Sequence, residues 1–237
     1  NDDVNTTGRI DNPNHFNKII WVNQEAIGKT ARSNPATYTK LFDKIRDLFA
    51  ASDQALKYGF TKSHFSFNSD KGRCPTCLGA GKIQQGMSFL GKSETACDTC
   101  MGHRFNQDVL AVTYSGKTIS EVLELDIQQA RVLFEGEKKI CKTLDILIDL
   151  GLGYLSLGQS SSSLSGGEAQ RIKLATELTR GATTSTLYLL DEPGNGLHYA
   201  DLKILLRGFN KLISQGNTII AIEHDPFVVA LADWVIE

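Results

Sequence analysis

Residues 164–171 read Leu-Ser-Gly-Gly-Glu-Ala-Gln-Arg, and residues 187–192 read Leu-Tyr-Leu-Leu-Asp-Glu. In the first stretch a serine and two glycines lead into a helix with an apolar side at Ile172, Ala175 and Leu178. The first amides of a helix have no partner inside it and sit at its positive end, so they suit a terminal phosphate. On this reading Ser165, Gly166 and Gly167 are nucleotide-binding residues, with the amides and the Ser165 hydroxyl pointing outward. Taken alone, the stretch is equally a serine-capped helix with glycines in its lead-in. The second stretch decides between them: a wholly apolar run that ends in two acids reads as a buried strand whose tip carries chemistry. Asp191 is placed there to hold Mg2+ through water, and Glu192 to polarise an attacking water.

The same texture extends outward. A second apolar run, Thr218 to Ile222, ends in Glu223-His224, which puts His224 beside the same crevice at the carboxyl edge of a sheet. A third, Ile19 to Val22, ends in Asn23-Gln24. Ser33-Asn34-Pro35 is a helix start, and Tyr38, Leu41, Phe42, Ile45, Leu48 and Phe49 at three- and four-residue spacing continue it as one amphipathic helix, closed by Gly59. Leu110 to Tyr114 alternates like a strand, and Thr118 to Leu150 reads as two or three helices. Helices to about Arg180 and from about Ala200 to Ser214 separate the apolar runs. The expected fold class is α/β, a mainly parallel sheet covered on both faces by helices. No internal repeat is read.

Cys74-x-x-Cys77 and Cys97-x-x-Cys100 form two knuckles, the spacing that lets four thiolates close a tetrahedron around Zn2+. With all four positions filled by sulfur, the site is structural. Redox pairs or free thiols are the weaker reading. From Lys71 to Arg104 the insertion carries Lys71, Arg73, Lys82, Lys92 and Arg104 against Glu94 and Asp98. Arg73, Lys82, Lys92 and Arg104 are therefore candidate contacts to a phosphate backbone. A solvated zinc ribbon that only packs on its host is the equal alternative.

Gly86-Met87-Ser88-Phe89-Leu90-Gly91-Lys92-Ser93 fits the Walker A expression but lies inside the insertion, with no room for the helix such a loop must open. Gly28-Lys29-Thr30 is weaker still, because Asn23 stands where the first glycine belongs. A genuine Walker A is expected upstream of residue 1, and the chain, which opens without Met, reads as a piece of a longer protein.

The 237 residues are 41% hydrophobic and 22% charged with a net charge of -2, the balance of an ordinary globular protein. No whole-surface basic field is present, so any nucleic-acid contact is local. The apolar runs are too short to cross a bilayer, and a reducing cytoplasm is the expected compartment.

Together these residues resemble ABC-type ATPases, with the signature at 164–168, Walker B at 187–192, His224 as the switch histidine and Gln24 as the Q-loop glutamine. The four-Cys insertion narrows the likeness to the UvrA family of excision-repair proteins, as do 27–38, Phe65-Ser66-Phe67-Asn68, Gly72-Arg73-Cys74 and 164–174. An ABC transporter ATPase shares the signature, Walker B and the histidine but carries no such insertion.

The resemblance implies four regions: a Q-loop segment and the start of the signature subdomain (1–70), a zinc hairpin (71–105), a helical subdomain with the signature (106–180) and the Walker B part of the core (181–237). It implies a cytoplasmic, homodimeric DNA-damage sensor that uses ATP and Mg2+, binds double-stranded DNA and hands it to a UvrB-like partner. The Ser165 region would complete an ATP site whose Walker A belongs to the other half. Gly194-Asn195 depart from the two threonines the family usually carries, and 86–96 depart at the hairpin tip. A paralogue serving drug resistance is one alternative these departures leave open, and a non-catalytic zinc DNA-binding fragment is another.

Overall fold

The computed structural model describes residues 15–28, 30, 32–87, 91–180, 185–195 and 197–236, and for 84–87 and 91–93 the backbone alone. Three apolar runs become strands of one parallel sheet: β1 (Lys18–Val22), β6 (Thr186–Asp191) and β7 (Thr218–Ile222), in the order β1-β6-β7. Val22 pairs with Leu190, and Leu190 with Ala221, so all three strands end at one edge.

The sheet corrects one expectation. Ile20, Val22, Tyr188, Leu190, Ile219 and Ala221 face the main core. On the opposite face Ile19, Trp21, Ile220 and Ile222 are each more than half exposed. The two long helices, α8 (Gly166–Arg180) and α9 (Tyr199–Ser214), both bury their apolar residues in that same core. Among the described residues nothing is left to cover the second face.

Asn34 opens the helical region as predicted. It accepts from the Thr37 amide at 2.9 Å while its own amide donates to Thr37 Oγ1, a reciprocal cap. The single helix expected through Phe49 is instead α1 (Pro35–Tyr38) and α2 (Leu41–Ala50). Thr39 turns its hydroxyl onto the Pro35 carbonyl at 2.8 Å, and Lys40 takes the left-handed φ of 60°. α3 (Asp53–Lys57) follows, capped by Ser52.

The insertion is an antiparallel hairpin, β2 (Lys82–Met87) and β3 (Gly91–Ala96). Lys92 and Ser93 therefore lie in a strand, and no helix follows them; residues 88–90 of the decoy loop, and Lys29 of the weaker one, lie outside the described residues.

The strand expected at 110–114 is kept only at its end, because Leu110 belongs to a short helix. Asn106 caps the Val109 amide at 3.0 Å and starts α4 (Gln107–Leu110). Only β4 (Thr113–Tyr114), paired with β5 (Lys117–Thr118), remains extended. Residues 118–150 resolve into three helices, α5 (Ile119–Glu124), α6 (Ile127–Leu133) and α7 (Lys138–Asp149), the first two with capping boxes. α10 (Pro226–Ala230) closes the series. Phe49, Phe65, Phe67, Phe105 and Phe134 are fully buried, each contributing about 1.5–3 kcal/mol of burial. No described helix is long and apolar enough to cross a membrane.

Candidate functional site

The carboxyl edge of the sheet gathers the residues singled out from sequence. Glu192, just past β6, takes an uncommon left-handed φ of 43°. Its amide donates to Ile222 O at 2.9 Å, and its carbonyl accepts Gln24 Nε2 at 3.3 Å. Its carboxylate Oε1 stands 4.0 Å from Nδ1 of the exposed His224. Asp191 is exposed at the strand tip.

The signature segment reaches the same edge from the other side. A Cβ on Gly166 would lie 2.9 Å from Gln24 Oε1 and 3.0 Å from Gln24 Cβ, so only glycine lets α8 approach the Gln24 loop this closely. A Cβ on Gly167 would meet the Asn195 carbonyl at 3.6 Å. Ser165 differs from expectation. Its hydroxyl accepts from the Glu168 amide at 3.2 Å and its amide donates to Glu168 Oε2 at 2.7 Å. The serine thus closes a capping box, and its oxygen faces the helix instead of pointing outward. Tyr154 donates to Glu168 Oε1 at 2.6 Å; burial, with that carboxylate beside it, pushes the phenol up to about 12.

In the insertion all four sulfurs lie within 4.8 Å of one another and are buried. Cys74 Sγ is 3.9 Å from Cys97 Sγ, and Cys77 Sγ is 3.6 Å from Cys100 Sγ. A tetrahedron with Zn–S bonds of about 2.3 Å has edges of roughly 3.8 Å, so the thiols fit a structural zinc ion. The amides of Cys100 and Thr99 hold the Cys97 thiol below its ordinary range, as thiolate ligation needs. Burial pushes Cys100 the other way.

The knuckles are also a local repeat that the sequence reading passed over. Cys74-Pro-Thr-Cys-Leu-Gly79 and Cys97-Asp-Thr-Cys-Met-Gly102 share left-handed φ values at Leu78 and Met101, both 51°, and at Gly79 and Gly102. Thr76 and Thr99 meet across the repeat at 2.8 Å.

No protein-family model matches the chain. UvrABC system protein A of Haemophilus ducreyi is 51% identical over 235 residues, covering 99% of this chain and 25% of that protein. Its counterpart in Escherichia coli (strain K12) is 48% identical over 223 residues, 94% of this chain and 24% of that one. The crystal structure of UvrA2 from Deinococcus radiodurans superposes with a TM-score of 0.88 at 48% identity, over 93% of this chain and 27% of that chain. The chain belongs to the UvrA family. It spans about a quarter of the length of these relatives.

Within this UvrA segment the candidate duplex contacts divide. Arg73 is ion-paired with Asp70, and Lys82 lies 3.4 Å from Glu94. The side chain of Lys92 is outside the described residues. Arg104 turns inward: it donates to Gly158 O at 3.2 Å, lies over the Phe67 ring at 5.6 Å, and burial lowers its pKa.

Other side chains around the UvrA site were not singled out from sequence. Gln170 Nε2 bridges two strand tips, donating to Val22 O at 3.0 Å and Asp191 O at 2.9 Å. Lys173 Nζ donates to Asn23 O at 3.2 Å and to Asn23 Oδ1; its burial lowers its pKa. Glu223 Oε1 accepts the Gly194 amide at 2.5 Å, and Asn195 Nδ2 donates to Glu192 Oε2 at 2.9 Å. The available signal was Gln170 and Arg171, polar residues between Ala169 and Ile172 on a helix buried nearly all round.

Gln170→Leu should lower stability by about 1–3 kcal/mol, because two carbonyls lose their donor. Gln170→Glu should cost more, since it sets a buried carboxylate against those carbonyls. Denaturant midpoints compare the three; equal midpoints would mean the strand tips are held by something else.

Proposed function

We propose that the chain is the signature, Walker B and zinc-hairpin portion of an ABC-type ATPase that recognises damaged DNA in nucleotide excision repair. The observation that carries this reading is the gathering of Gln24, Gly166, Asp191, Glu192 and His224 at one sheet edge. Glu192 then acts as the base that polarises water, His224 contacts the terminal phosphate from the facing side, and Asp191 holds Mg2+. Gly166, Gly167 and the Ser165 region at the start of α8 face a second ATP, the one whose Walker A belongs to the other half, and offer amides to its phosphates.

The four cysteines hold one Zn2+ that shapes the hairpin. Duplex DNA is met by basic residues of that insertion, Lys82, Lys92 and Arg73. The proposal includes a cytoplasmic location, a homodimeric intact protein and a UvrB-like partner, the last supported by the relatives' name, UvrABC system protein A.

The test is steady-state ATP hydrolysis by the intact protein, with and without duplex DNA, comparing wild type with Glu192→Gln. Turnover should fall about a hundredfold or more while nucleotide binding is kept, and wild-type turnover should respond to DNA. A Glu192→Gln protein with wild-type turnover would overturn the assignment.

A further inference from the structure

We propose that Asn195 is a positioning residue that fixes the rotation of the Glu192 carboxylate; this rests on the ATPase reading above. Asn195 Nδ2 donates to Glu192 Oε2 at 2.9 Å, which leaves Oε1 on the side of His224, 4.0 Å from its Nδ1. A carboxylate on a flexible stem otherwise turns freely, and a misdirected base loses rate without losing substrate. The backbone around it is already fixed. The Asn195 amide donates to Glu192 O at 3.0 Å, Gln24 Nε2 donates to the same oxygen, and the Glu192 amide reaches Ile222 O.

The turn carrying Asn195 is pinned on two further sides. Glu223 Oε1 takes the Gly194 amide, and a Cβ at Gly194 would come within 2.8 Å of that oxygen, so the turn lies hard against the end of β7. The Asn195 carbonyl lies 3.6 Å from where a Gly167 Cβ would sit, so the turn borders the start of α8. Asn195 thus lies beside the signature with its backbone and bonds the base with its side chain. Its left-handed neighbour Glu192 holds a conformation that persists only when its surroundings over-determine it, and these contacts supply that constraint.

The experiment measures kcat and KM for ATP in the intact protein carrying Asn195→Leu, which keeps the size and removes the donor, and Asn195→Gln, which restores an amide. Asn195→Leu should lower kcat about ten- to a hundredfold with KM within about twofold, and Asn195→Gln should recover part of it. Adding Asn195→Leu to Glu192→Gln should cost nothing more, because both act through one carboxylate. Asn195 is exposed, so neither variant should alter folding. Wild-type kcat in Asn195→Leu, an effect on KM alone, or additive losses in the double variant would each overturn the assignment. If Glu192→Gln abolishes turnover and Asn195→Leu does not, only the Asn195 role is lost. If Glu192→Gln itself retains turnover, the ATPase reading fails and takes this role with it.

Discussion

Removing zinc should melt the hairpin insertion while leaving the rest of the chain folded. The four cysteines form a cluster of their own, separate from the main core, and among the described residues only Ile83 packs against it. With so little apolar packing around the four sulfurs among the described residues, metal ligation is expected to supply most of the stabilisation of the knuckles. Structural zinc sites of this kind contribute apparent free energies of about 10–16 kcal/mol near neutral pH. The flanks are tied elsewhere: the Cys74 amide donates to Arg104 O, the Asn106 amide to Gly72 O, and Phe67 and Phe105 are buried in the main core. Hydrogen exchange should therefore show protection lost between about residues 74 and 100 after chelation, with α7 and α8 unchanged. Metal analysis of the untreated protein should find one zinc per chain, and Cys97→Ser should behave like the chelated protein. Acid should act in the same direction, since thiolates must be deprotonated to bind. Exchange in the hairpin that ignores chelation, or a purified protein without zinc and with four reactive thiols, would contradict the metal assignment.

The strands and long helices were legible because each is decided by its own residues. Thr186 to Asp191 is apolar up to its acidic end, and Gly166 to Arg180 begins at a serine-glycine start. The four-cysteine cluster was legible because spacing alone constrains it. What escaped depends on contacts between distant segments. Gln170 looks like one more polar residue on a helix until β1 and β6 place their last carbonyls opposite it, and Arg104 looks like a surface cation until Gly158 and Phe67 close over it. The bare sheet face escaped for a different reason: an apolar strand reads the same whether its covering helix is in the chain or beyond it. Ser165 was placed correctly and oriented wrongly, because Glu168, three residues on, was not weighed as a capping partner.

Gly72→Ala should be among the most damaging small substitutions in the chain, because the added carbon has no room against the His64 backbone. A Cβ at residue 72 would stand 1.6 Å from the His64 carbonyl oxygen and 2.5 Å from its carbon. Neither side can yield cheaply. The His64 amide bonds Thr61 O, its ring accepts the Thr61 amide at 3.0 Å, and it stacks on Phe60 at 4.8 Å. Gly72 itself bonds Ser69 O and accepts from Asn106, and the next residue bridges to Phe105. Overpacking costs about 1–3 kcal/mol and more where, as here, neither backbone can shift, whereas Gly136→Ala, with nothing near its added carbon, should stay within about 0.5 kcal/mol of wild type. Urea unfolding of the zinc-loaded proteins measures both, and matching midpoints would mean that residues 64 and 72 are not in contact. The difference bears on function through geometry. Arg104 leads out of the second knuckle and holds Gly158, and Ser161, just beyond, donates to Ser33 O at 2.8 Å as the chain enters the signature. The base of the insertion is therefore set on one side against His64 and tied on the other, through Arg104, to the segment that leads into the signature helix.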